Sequence, residues 1–390
     1  MRNIILGITA IVIFIVGSLA ISHPFLKDSE NYLAVIEKNV QEQITNDESQ
    51  GVYENKTVKK CENPVFTSYF IDPQYVQKVG QVGVVHGSGL YIVERSYISV
   101  KEKFAAQKVP VYAPSDIELV AGSHYRDPAA PSNALPDYAL WFDAGCDVEV
   151  NLAHLKEVAQ PIALQLPDVK TDSRNTRLKP LQFKAGDLIG YFIYSHGDVA
   201  GFDFIVRDKK VLNKFINQER YSDHRASNLI NGVCPYDYYE PNKKKTYYNL
   251  LGGAGGTLFK TKDCGKSSRD VAGTISGMWF LSQEPQNNIY ESYKEGLYGS
   301  TLSIVGDEER ITIGNLGESR MSWIYNNNPT YKLPEQVKSE HCYKFDGFTP
   351  GDNRGWVYFK FVSDTQLDVF FSQTGTCPYS LPPNAKRYYK

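Results

Sequence analysis

The sequence predicts a mainly β protein made of an N-terminal transmembrane helix, an antiparallel β domain and a second all-β domain, sandwich or barrel. Three observations predict it. Tyrosine (27) and phenylalanine (19) far outnumber methionine (3), and bulky aromatic side chains suit the pleated, half-buried surface of a strand. From Cys61 onward, short apolar runs such as DIELVAG, DYALWFDA and CDVEVNLA alternate with Gly, Pro and Asn, the texture of strands and turns. The length of 390 residues accommodates two domain cores and an anchor.

The elements follow in order. Ile4 to Ile21 carries no charged residue and is preceded by Arg2, and a helix of that length spans about 27 Å. Residues 1–22 therefore enter a membrane, either as an uncleaved anchor or as a signal peptide cut after Ser22, where Ala20 and Ser22 supply the small residues of a cleavage site. The run is longer than the ~7–15 residues of a signal core, which favours the anchor. Residues 23–58 form a partly helical stalk, with Leu33, Val35, Ile36, Val40 and Ile44 at helical spacing. Asn55-Lys56-Thr57 in that stalk is a glycosylation sequon. Residues 59–229 make the first β domain, with surface loops at 124–136 and 171–179. A helix is expected to end it over 208–229, where Val211, Leu212, Phe215 and Ile216 repeat at helical spacing. Residues 230–390 make the second β domain, including an antiparallel hairpin in which WVYFKF and TQLDVFF flank a Ser363-Asp364 turn.

A formal charge of −2 with 22% charged residues leaves no basic footprint for nucleic acid. All six cysteines, Cys61, Cys146, Cys234, Cys264, Cys342 and Cys377, lie beyond the apolar run, and none forms a C-x-x-C pair. An even number outside a membrane reads as disulfides in an oxidising compartment. Their connectivity is formally open; grouping by domain favours Cys61–Cys146, Cys234–Cys264 and Cys342–Cys377. The localisation expected is a membrane-anchored protein with an extracytoplasmic ectodomain, secreted if the N-terminus is cleaved. Other motifs fail on their spacing: CGKSS at Cys264 has Lys260 where a phosphate loop needs glycine, and GTISG lacks the order of a nucleophile elbow.

Between Val109 and Arg207, VPVYAPSD, the histidine of NLAHL, KAGDLIGYF and GFDFIVRD follow one another. Over roughly residues 78–208 this order resembles the lysostaphin-type (LytM-like) zinc metalloendopeptidases in a degenerate form. In that family a P-V-x-A-P strand leads into the core, an H-L carries a catalytic histidine, a G-x-x-I-G hairpin follows and an H-L-H-F strand closes the site. Placing Phe202 and Phe204 on the apolar positions of that strand puts Gly201 where the resemblance implies a catalytic histidine and Asp203 where it implies a zinc ligand. His154 matches the other catalytic histidine. The remaining ligands should precede Val109, where His86 is the upstream histidine and Glu94 a substitute only in a suitable register.

The candidates are thus His154 and Asp203 for catalysis and His86 and Asp203 for a metal. Each has a plainer reading: His154 as a half-buried structural residue, His86 beside Gly87 and Gly89 as a turn residue, Asp203 as the partner of Arg207 or Arg95, and His196 and Asp198 as a solvated turn. The function expected is a membrane-tethered module that has lost catalysis, as inactive family members have, with no cofactor and a binding or structural role toward an envelope protein or glycan. The alternatives are an active hydrolase using zinc or another divalent metal with atypical ligands, and an envelope structural or glycan-binding protein acting through the C-terminal β domain.

Overall fold

The computed structural model describes residues 64–85, 91–126, 134–193, 201–221, 227–253, 256–283, 301–316, 321–348 and 355–390. The apolar run, the stalk, Cys61, His86, His196 and Asp198 lie outside them. Among the described residues no helix is long and apolar enough to cross a membrane, and the chain is mainly β, with two β domains.

The first is built on an antiparallel sheet in the order Val76–Val79, Ser96–Val100, Gly201–Asp208, Val148–Leu155, Asp137–Asp143, Ile117–Tyr125 and Thr176–Phe183. Its strands alternate as their sequences do: Tyr138, Leu140 and Phe142 point inward from one, Phe202, Phe204 and Val206 from another, because successive side chains on a strand face opposite ways. A smaller sheet of Lys108–Tyr112, Leu188–Ile193 and Glu157–Val158 contributes Val109, Val111, Ile189 and Phe192 to the same core. The two sheets meet where the Phe192 and Phe202 rings lie 5.2 Å apart, beside Phe70 stacked on Phe204 at 4.1 Å. The segment expected as a hairpin is instead a corner: Thr176–Phe183 pairs in the large sheet and Leu188–Ile193 in the small one. The turn between them is fixed by the Lys184 N–H donating to the Asp187 carboxylate at 2.7 Å and by Gly186 at φ +90°, a conformation glycine adopts without strain.

The helix expected over 208–229 does not form as one element. The strand runs to Asp208, whose carboxylate accepts the Lys210 N–H at 2.9 Å and the Tyr238 hydroxyl at 2.6 Å. The Asn213 amide then donates to the carbonyls of Leu229 and Gly232. Such side-chain to backbone bonds compete with a helix for the same polar groups. Leu212, expected on an inner face, is 63% exposed; helical turns remain at Gln218–Tyr221 and Ser227–Asn231.

The first core also continues past the expected break at 229/230. Cys234, Tyr236, Tyr239, Tyr247, Leu251, Phe259 and Cys264 all belong to it, held by the Cys234–Cys264 disulfide and by the Tyr247 hydroxyl donating to the Ile71 carbonyl at 3.0 Å. Beyond it lies an antiparallel sheet in the order Glu340–Lys344, Trp356–Ser363, Gln366–Ser372, Lys386–Tyr389, Gly277–Phe280, Thr301–Gly306, Arg310–Gly314, Met321–Tyr325 and Gly347–Phe348. The two ends of this sheet are one bent segment: Glu340–Lys344 pairs with Trp356–Ser363, and Gly347–Phe348 with Met321–Tyr325. The sheet is therefore a nearly closed barrel, which leaves almost no open edge to pair with other chains. Trp279, Ile304, Ile313, Val357, Phe359 and Leu367 fill it, and the Cys342–Cys377 disulfide fastens its wall. Cys146 is also disulfide-bonded.

Candidate functional site

Strand register brings the site together. On the strand Gly201–Asp208, Phe202 and Phe204 turn into the core, so Asp203 faces the opposite side of the sheet. Its backbone neighbours are Tyr97 on one side and Ala153 on the other. The adjoining strand carries a bulge: Tyr138 pairs with Leu155 and Ala139 with Ala153, leaving His154 as the extra residue at φ +68°. That left-handed conformation is uncommon for a residue with a side chain, and bulges re-aim side chains. Here the bulge places the His154 ring over Asp203.

The result is a row of alternating charges. Arg95 Nη1 donates to Asp203 Oδ2 at 2.6 Å. His154 Nε2 lies 3.6 Å from the same oxygen, and its Nδ1 lies 3.2 Å from Asp137 Oδ2. Asp137 is held in turn by Lys156 at 2.6 Å, and Glu94 lies 3.8 Å from Arg95 Nη2. Asp203 is 1% exposed, and at that depth an ion pair is strong but each partner depends on the other. Burial would drain charge from Arg95, but Asp203 and then Glu94 outweigh it and hold the guanidinium firmly protonated. Burial, reinforced by the Asp203 charge, raises the Tyr97 phenol well above its ordinary value, so this group stays protonated.

The LytM resemblance implies zinc, and the residues present do not fit it. Asp203 Oδ2 already accepts a hydrogen bond from Arg95, and a divalent ion at this carboxylate would face the guanidinium. Among the described residues no group of three or more His, Cys, Asp and Glu is placed to hold a metal ion, whereas a catalytic zinc site normally uses three protein ligands and an open position. Gly201, at the position implied for a proton-transferring histidine, has no room for a side chain: a Cβ there would lie 2.5 Å from the Ile98 carbonyl oxygen.

Of the residues singled out in the sequence, His154 and Asp203 meet, Arg95 rather than Arg207 takes Asp203, and His86 lies outside the described residues. Arg207 instead pairs with Glu149 and Asn228 and stacks over Trp141 at 4.3 Å. Asp137, Lys156 and Tyr97 were not foreseen. The signal for Asp137 was slight: an aspartate opening a strand straight after a proline-bounded loop.

The row has a pH signature. His154 is drawn down by burial, but Asp203 and Asp137 outweigh that and raise it above its ordinary value. A group whose folded pKa is raised stabilises fully below its unfolded value, about 6.5, and loses that contribution as pH rises through the folded value. Asp137 is held below its ordinary value because His154 and Lys156 outweigh the effect of burial, so its contribution is lost only as pH falls through that depressed value. The stability difference between wild type and His154→Asn, whose side chain tolerates the same backbone conformation, is therefore expected to be largest near pH 5–6 and to shrink toward pH 8. Urea unfolding at fixed salt measures it; a difference that does not vary with pH would mean His154 is not charged in this row.

No protein-family model matches this chain, and no curated protein matches it. Among solved structures, the NMR solution structure of lysostaphin is similar at a TM-score of 0.23 and 14% identity, over 83% of this chain and 91% of that one, a likeness too slight to support any statement about activity.

Proposed function

We propose that this chain is a membrane-tethered extracytoplasmic protein whose first β domain keeps the groove of a peptidase-like module without its catalysis, and serves binding or architecture at the cell envelope. The observation that carries this reading is the Arg95–Asp203 pair: a protein cation sits on the carboxylate that a metal would need. Water activation by a metal requires a polarising ion with an open position, and a guanidinium offers neither a vacant coordination site nor an acidic bound water. The two disulfides, Cys234–Cys264 and Cys342–Cys377, accord with an oxidising compartment, and the apolar run from Ile4 to Ile21 supplies the tether. The partner is an envelope protein or glycan.

Metal analysis and a cleavage assay test this together. The purified protein is expected to hold no stoichiometric zinc after dialysis and to leave glycine-rich and cross-linked cell-wall peptides intact. One zinc per chain, with peptide turnover abolished by His154→Ala, would overturn the reading in favour of a hydrolase with an atypical ligand set.

A further inference from the structure

At one end of the barrel an amine and a carboxyl group face each other out of water. Lys390 follows the strand Lys386–Tyr389, and Asp270 precedes Gly277–Phe280; those two strands are neighbours, paired at Phe280 and Tyr389. The side chains of Lys390 and Asp270 are 1% and 3% exposed, and Lys390 Nζ lies 3.3 Å from Asp270 Oδ1. Both groups are pinned. Lys390 Nζ donates to the Ser276 carbonyl at 2.8 Å and sits 4.3 Å from the centre of the Trp279 ring. Asp270 Oδ2 accepts the Ile216 N–H at 3.0 Å. Its other oxygen lies against Gly277, where a Cβ would come within 2.0 Å, so any other residue there would displace the carboxyl group from the amine.

We propose that Lys390 and Asp270 condense into an intramolecular isopeptide bond that joins the first and last strands of the barrel. Two full charges are costly to keep in a dry site, and a neutral amide removes both. Burial, the largest influence on Lys390, lowers its pKa against the opposing pull of Asp270, which favours the free amine that must react. In the step, a proton passes from Nζ to the carboxylate and the Nζ lone pair attacks Cγ. The C–N bond forms and one C–O bond breaks. That oxygen leaves with both protons lost by the ammonium, as one water, so no oxidant or further reactant is consumed. Holding two reactants in fixed contact replaces a bimolecular encounter with a local one, a large kinetic gain where the geometry is set. The product ties two strand ends that a pulling force on the barrel would otherwise separate.

Peptide mapping of the full chain, denatured, reduced and cut with trypsin, tests this without depending on the proposed function or on how the N-terminus is processed. The expected product is the tryptic peptide that begins at Tyr388 and carries Lys390, linked to the peptide of residues 270–294, at their summed mass less one water, with fragment ions placing the link on Lys390 and Asp270. Lys390→Arg is expected to release the residue 270–294 peptide in linear form. Recovery of both peptides in linear form from wild type, with the Lys390 amine open to acetylation after denaturation, would overturn the proposal and leave a buried ion pair. Loss of water confined to the peptide of residues 270–294 alone would overturn it as well.

Discussion

Asp203→Ala is expected to lower folding stability by about 3–5 kcal/mol, the range for removing one partner of a buried ion pair. The loss is not that of a single contact. Arg95, whose side chain is 22% exposed, would be left with Glu94 at 3.8 Å as its nearest remaining carboxylate, and His154 would lose one of the two aspartates that favour its charged form. Arg95→Met alone should also destabilise, because Asp203 then loses the cation that donates to it at 2.6 Å and keeps His154 at 3.6 Å. The double variant should lose much less than the sum, since replacing both partners by apolar groups is often close to neutral, and residues in direct contact are not additive. Urea titration of the four proteins measures the coupling. Additive losses, or an unchanged midpoint for Asp203→Ala, would show that the pair contributes nothing and would remove the main support for the proposed function.

Replacing Cys234 and Cys264 together by alanine is expected to cost roughly 3–4 kcal/mol from the freed chain entropy of the unfolded state, given their separation of 30 residues. Both cysteines are also buried in the first core, at 6% and 3% exposure, so their loss loosens packing as well. The Cys342–Cys377 link closes a comparable span of 35 residues, but Cys342 and Cys377 are only half-buried, so its removal should cost less. Hydrogen exchange should then show the segment 234–264 opening before the strands it covers. Equal losses for the two pairs, or no faster exchange around Tyr236 and Tyr247, would mean that the first disulfide does not hold this segment to the core.

Much of the site was legible because it follows from strand periodicity. Phe202 and Phe204 had to face one way, so Asp203 had to face the other, and a carboxylate in that setting needed a cation. The sequence left Arg95 and Arg207 open. The register decides between them: Gly201–Asp208 pairs Asp203 with Tyr97 of the strand Ser96–Val100, which Arg95 immediately precedes, and pairs Arg207 with Glu149. The bulge that turns His154 toward Asp203 was not legible, since an unpaired residue leaves no mark on local composition. Nor was the part played by Asp137 and Lys156, whose relevance comes from that bulge.

By itself the sequence determined the β class and the hairpin around Ser363-Asp364, and it favoured, among open connectivities, the pairings Cys234–Cys264 and Cys342–Cys377 that the structure holds. All of these rest on alternation, turn chemistry or proximity along the chain, which act over a few residues or within one domain. Only the tertiary structure decided that Asp208 and Asn213 would break the helix expected over 208–229, that the first core would reach Cys264, and that one bent segment from Glu340 to Phe348 would close the barrel. It also set Arg95 on Asp203, across 108 residues of chain. Each of these is a choice among partners distant in sequence, and such choices are made by sheet register and by the burial of polar groups that must find a mate, neither of which is a property of any local stretch.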